Sequence, residues 1–102
     1  MQRKLILFFV IMNSLHQYSF AQTNQQGKID SLVSKLSEAK EDVIKLKIYT
    51  NILIEYIYFK SAEGLKYEKP ALELAEKLNQ KEGVALIKEG VGRIYWHLGN
   101  FN

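Results

Sequence analysis

The 17-residue run from Val43 to Phe59 contains no turn signal, and it constrains the fold more than any other stretch. It is rich in β-branched and aromatic residues, including Ile48-Tyr49-Thr50 and Ile52-Leu53-Ile54-Glu55-Tyr56-Ile57-Tyr58-Phe59. Propensity alone would allow a strand. Strands, however, usually run about 5–6 residues, and this run is three times that. Two helical stripes fit it instead: Tyr49, Ile52, Leu53 and Tyr56, and Val43, Leu46, Thr50, Leu53 and Ile57. A helix that is apolar on more than one face must be sandwiched between neighbours.

The flanking segments supply those neighbours, which makes the chain all-α. Ile29, Leu32, Val33 and Leu36 fall at i, i+3, i+4, i+7, with Asp30 and Ser31 placed to help cap that helix. Ala39 to Asp42 is a polar break, and Asp42 is the N-cap candidate for the next helix. A third helix is expected over Ser61 to Asn79, capped by Ser61, with Gly64, Leu65, Ala71, Leu72, Ala75 and Leu78 on its apolar side. Pro70 either kinks it or marks a new helix starting at Lys69-Pro70. A fourth helix is expected over Val84 to Leu98, with Val84, Ile87, Val91, Ile94, Tyr95 and Leu98 on one face, and Gly83 in or just before its first turn. Gly99-Asn100 stops it.

The N-terminus has a different purpose. Arg3 and Lys4 precede the apolar run Leu5 to Met12, and Ser19-Phe20-Ala21 puts small residues at −3 and −1 before Gln22. This is the layout of a cleaved export signal over residues 1–21, which implies a periplasmic or extracellular protein. Eight apolar residues are too few to span a bilayer, which takes about 20. Residues 22–27 (QTNQQG) read as a flexible leader to a helical region over 28–102.

Composition then removes whole classes of chemistry. The chain has no cysteine, so disulfides, thiol nucleophiles and Cys-based metal sites are out, as is a bacterial lipid anchor after the signal. Loss of Arg3 and Lys4 from the 14 basic residues leaves 12 against 11 acidic ones, a net of +1 with no basic stripe for nucleic acid. His97 is the only histidine after the signal, too few for a triad or a His-rich metal site. Glu63, Glu68, Glu73 and Glu76 interleave with Lys66, Lys69 and Lys77 as a solvated helix face. Gly90-Val91-Gly92 lacks the third glycine and preceding strand of a nucleotide loop. The expectation is a non-enzyme without metal or cofactor.

Two glycines in the fourth helix, Gly90 and Gly92, each cost about 1 kcal/mol relative to alanine. A helix that accepts this usually needs close approach of a neighbouring backbone. Lys88, Val91, Gly92 and Tyr95, followed by Gly99-Asn100-Phe101, resemble the first helix and turn of a tetratricopeptide repeat, whose pattern is W-x2-L-G-x2-Y. Lys88 departs from the tryptophan. Ile52, Leu53 and Tyr56 take the corresponding places of an earlier, more diverged repeat, with Gly64 and Ala71 at its later small positions and no terminal proline. Tyr56 and Tyr95 are 39 residues apart, against a family period of about 34. Ala71-Leu72-Glu73-Leu74-Ala75-Glu76-Lys77-Leu78 with Gly83 is similar to the longer repeats of bacterial sensor and signalling proteins.

The resemblance implies antiparallel helix pairs stacked as a short right-handed solenoid, about one and a half repeats plus an N-terminal helix, incomplete at the C-terminus. In that frame Gly92 receives the second helix of its own repeat, and an incomplete array is expected to self-associate through the open face of helix 84–98. The implied function is binding of a protein or peptide, as in the sensory N-terminal part of a bacterial signalling protein. The chain would then be a fragment of a longer or interrupted product. Groove candidates are Ile54, Ile57, Tyr58, Glu89, Arg93, Trp96 and His97. Trp96 could equally pack on the next helix. The alternative to a binding module is a structural or self-associating helical fragment, and the alternative to a repeat is an ordinary antiparallel bundle.

Overall fold

A computed structural model describes residues 24–99. The expected export signal and the Asn100–Asn102 end lie outside the described residues. Five helices follow in order: α1 over 24–38, α2 Asp42–Tyr56, a single turn α3 Ser61–Gly64, α4 Glu68–Lys77 and α5 Lys81–His97. A 3-10 turn, Leu65–Tyr67, joins α3 to α4. Among the described residues there is no strand, and none of their helices is long and apolar enough to cross a membrane.

The long apolar run is a helix, and it sits at the centre. Leu46, Ile48, Ile52, Leu53 and Tyr56 of α2 are all buried, and Ile57 just beyond it is too. They meet Ile29 of α1, Ala71 and Ala75 of α4, and Ile87, Val91 and Ile94 of α5 in one core. α4 and α5 pack on each other and both pack on α2. Each fully buried aliphatic side chain contributes on the order of 2 kcal/mol of transfer free energy. Val33 and Val43 were expected in apolar stripes, but both are exposed. They sit on the side of their helices that no described element covers.

Local chemistry moves several boundaries. Residues 24–27, expected as part of a flexible leader, already belong to α1, and Gln26 donates to Asp30 at 2.9 Å along its first turns. Asp30 and Ser31 are therefore interior to α1 and cap nothing. Asp42 and Ser61 are first residues of their helices, not caps. Ser61 turns back and donates its hydroxyl to the Ile57 carbonyl at 2.8 Å, while Lys60 takes a left-handed φ of 47° that redirects the chain between α2 and α3. The expected helix over Ser61–Asn79 is divided. Pro70 falls in the first turn of α4, where the amide it lacks has no intrahelical partner to lose. The break before Lys69-Pro70 is thus the form the chain adopts.

α4 ends in a Schellman motif. Asn79 is left-handed at φ 53°, its amide donates to Glu76 O at 3.0 Å and the Gln80 amide to Ala75 O at 2.9 Å. Gly99, at φ 72°, stops α5 as expected, with its amide on Trp96 O.

The seam between α2, α3 and α5 is closed by one glycine. A Cβ on Gly64 would lie 2.6 Å from Tyr56 Cβ and 3.1 Å from Ile94 Cδ1, so only hydrogen fits. Tyr56 stacks on Tyr67 at 5.9 Å, and Tyr67 in turn meets Tyr49 at 6.4 Å. Burial raises the Tyr56 phenol above its ordinary value, and Tyr67, Glu63 and Asp30 push in the same direction.

Candidate functional site

A groove of about 810 Å³ runs between α2 and α5 and is closed at one end by Gln25 of α1. Its α2 wall follows from helical spacing. Thr50, Asn51 and Ile54 lie at i, i+1 and i+4, which puts all three on the side of α2 turned away from α4. The α5 wall repeats the logic with Leu86, Glu89, Gly90 and Arg93. The two walls meet beside Gly90, where a Cβ would touch Leu53 Cβ at an ordinary 3.7 Å, so the position would also accept alanine. Tyr58 and Phe59, in the bend after α2, complete the lining.

The floor is apolar and its rim carries fixed charge. Ile54, Tyr58 and Leu86 are 57%, 76% and 59% exposed, a large apolar surface for neighbouring side chains. Arg93 donates to Glu89 at 2.9 Å across one turn of α5. Gln25 donates to the Glu55 carboxylate, anchoring α1 on the end of α2, and Lys60 donates to Gln26 at 3.1 Å on the same side. Lys60 also lies over the Phe59 ring, 5.3 Å from its centroid. Residues 25 and 26 of α1 are thereby coupled to the wall that they frame.

Of the groove candidates read from sequence, Ile54, Ile57, Tyr58, Glu89 and Arg93 line this groove. Ile57 does so from beneath. It is 4% exposed and shapes the floor without offering surface of its own. Trp96 and His97 are outside the lining. His97 closes on Tyr58 edge-to-face at 4.6 Å, which buttresses the end of the groove. Trp96, 69% exposed, faces outward on the adjoining side of α5.

The repeat positions divide in the same way. Tyr56, Gly64, Ala71 and Val91 are buried in the stack. Tyr95, expected on the inward face, is 37% exposed. Gly92 is exposed, and a Cβ on it would find nothing within 4 Å, so no described element takes the place expected for the second helix of its repeat, whereas the close approach expected at Gly64 is made. Sequence reading missed Gln25, Thr50, Asn51, Glu55, Phe59 and Leu86. Steps of three and four from Ile54 and Glu89 would have found Thr50, Asn51 and Leu86.

Apolar side chains, amides and one ion pair can hold a peptide segment by burial and directed hydrogen bonds. Among the described residues, no group of three His, Cys, Asp or Glu could hold a metal ion. No curated protein and no solved structure matches the chain. A family model described as the SusR N-terminal TPR domain matches residues 15–102, starting inside the stretch read as an export signal and covering every described helix. The stacked helices are thus a tetratricopeptide-repeat module of the kind used for protein interaction, and the chain belongs to the SusR N-terminal TPR domain family.

Proposed function

We propose that the chain is exported and captures a protein or peptide segment in the groove between α2 and α5, without catalysing a reaction on it. In this reading it serves as the sensory N-terminal part of a bacterial signalling protein, facing the periplasm or the cell exterior. The observation that carries the binding reading is the exposed Ile54, Tyr58 and Leu86 floor beside the Glu89–Arg93 pair. Aromatic and arginine side chains on such a surface are the residue types that dominate binding energy. The export reading rests on the order of charged start, apolar run and small-residue cleavage site in residues 1–21.

The test is selection of a random peptide display library on the purified chain, followed by affinity measurements on the winning peptides. Ile54→Glu and Arg93→Ala are expected to weaken them tenfold or more, while Lys69→Ala, on exposed α4 surface outside the groove, leaves them unchanged. Winners that bind all three variants equally would place the site elsewhere and end this assignment.

A further inference from the structure

We infer that a second copy of this chain docks on α5, antiparallel to it, about a two-fold axis that passes opposite Val91. Val91 points into the core at 6% exposure, with Ile87 and Ile94 beside it. The side of α5 opposite Val91 carries Ala85, Leu86, Glu89, Arg93, Trp96 and His97, all exposed. At about 100° per residue, the pairs Glu89 and Arg93, Leu86 and Trp96, and Ala85 and His97 each straddle position 91. All three pairs bisect along the same line, directly away from Val91. A two-fold axis that crosses that line at a right angle, between the two helices, sets each member of a pair level with the other member in the second copy.

The chemistry of the pairs then matches itself. Glu89 comes opposite the partner's Arg93, and Arg93 opposite the partner's Glu89. Since Glu89 and Arg93 already bond at 2.9 Å within one helix, the four groups form a ring of alternating charge. Leu86 meets the partner's Trp96 at each end of that ring, and these side chains are 59% and 69% exposed in one chain. A parallel arrangement would instead put Glu89 on Glu89 and Arg93 on Arg93. Exposed ion pairs contribute little affinity, so they set orientation and register while the Leu86 and Trp96 contacts supply the burial. Gly92 lies at the edge of this face with open space around it, which lets the second helix approach without meeting a side chain there.

Leu86, Glu89 and Arg93 also line the groove. Self-pairing and peptide capture therefore use the same wall and exclude one another. The pairing does not depend on the peptide reading, and its readout is mass, not peptide affinity.

Sedimentation equilibrium of the purified chain, with circular dichroism to verify helicity, tests it. The wild-type chain is expected to dimerise. Glu89→Arg alone and Arg93→Glu alone each place like charges across the axis and raise the dimer dissociation constant at least tenfold. An equimolar mixture of the two variants restores the dimer, because one chain then presents two positive charges and the other two negative ones. Leu86→Ser, which leaves the charges untouched, also weakens the dimer. A wild-type chain that is monomeric at every concentration overturns the proposal. So do single variants that dimerise as well as wild type, or a mixture that stays monomeric.

Discussion

Gly64 and Gly92 both interrupt helical sequence, yet the structure uses them in opposite ways. Gly64 lies where α3 is pressed between α2 and α5, and nothing larger than hydrogen fits against Tyr56. Gly92 lies on the outer side of α5, with nothing nearby. The first is a packing requirement within the stack. The second is a position from which a neighbouring helix can be approached closely, and no described element does so. The same residue type thus marks a closed seam in one region and an exposed surface in another, and the neighbouring helix decides which.

The contrast is open to direct attack by substitution. Gly64→Ala should produce the largest effect, a loss of about 1–3 kcal/mol from overpacking, because the obstructing atom is Tyr56 Cβ and not the tip of a flexible side chain. Urea unfolding followed by circular dichroism measures it, and an unchanged midpoint would show that the seam is looser than described. Gly92→Ala should move the other way. Alanine gains about 1 kcal/mol of helix propensity over glycine and meets no obstruction, so the urea midpoint should rise. Measured at a chain concentration where the dimer is dissociated, a fall would mean that an element of the same chain is seated on that position.

The smallest effect is on the pH profile of the closed region. Burial favours the neutral Tyr56 phenol, so its folded pKa lies above the unfolded value of about 10. The stability it contributes is complete below that unfolded value and is lost as pH rises through the folded one. Tyr56→Phe should therefore show a shallower loss of stability above pH 10 than wild type. Parallel alkaline unfolding curves would remove Tyr56 as the source.

How much of this was legible in the sequence follows from the same two regions. The central helix α2 was readable because length excluded a strand and two apolar stripes demanded neighbours on both sides. The break before Pro70 was visible only as one of two options, since the ring is compatible with a kink as well as a first turn. The helical state of residues 24–27 was not readable at all. Asn24 to Gly27 carry no apolar periodicity, and they are held in place by Gln25 on Glu55 and Lys60 on Gln26, contacts 30 and 34 residues apart in the chain.

The two glycines of α5 face different neighbours for a geometric reason. Gly90 and Gly92 are two residues apart, about 200° around the helix, so only one can face α2. The family pattern directs attention to Gly92, whereas the wall that meets Leu53 is at Gly90. The groove itself was half legible. Ile54, Tyr58, Glu89 and Arg93 follow from the repeat frame, but the end closed by Gln25 depends on where α1 lands.

The claim on which the rest depends is that the α2, α3 and α5 backbones close on one another at Gly64. Nuclear Overhauser spectra of the purified chain test it most directly. The account predicts strong cross-peaks from the Gly64 α-protons to the Tyr56 β-protons and to the Ile94 δ1 methyl group. Spectra in which Gly64 contacts only its sequence neighbours would contradict it.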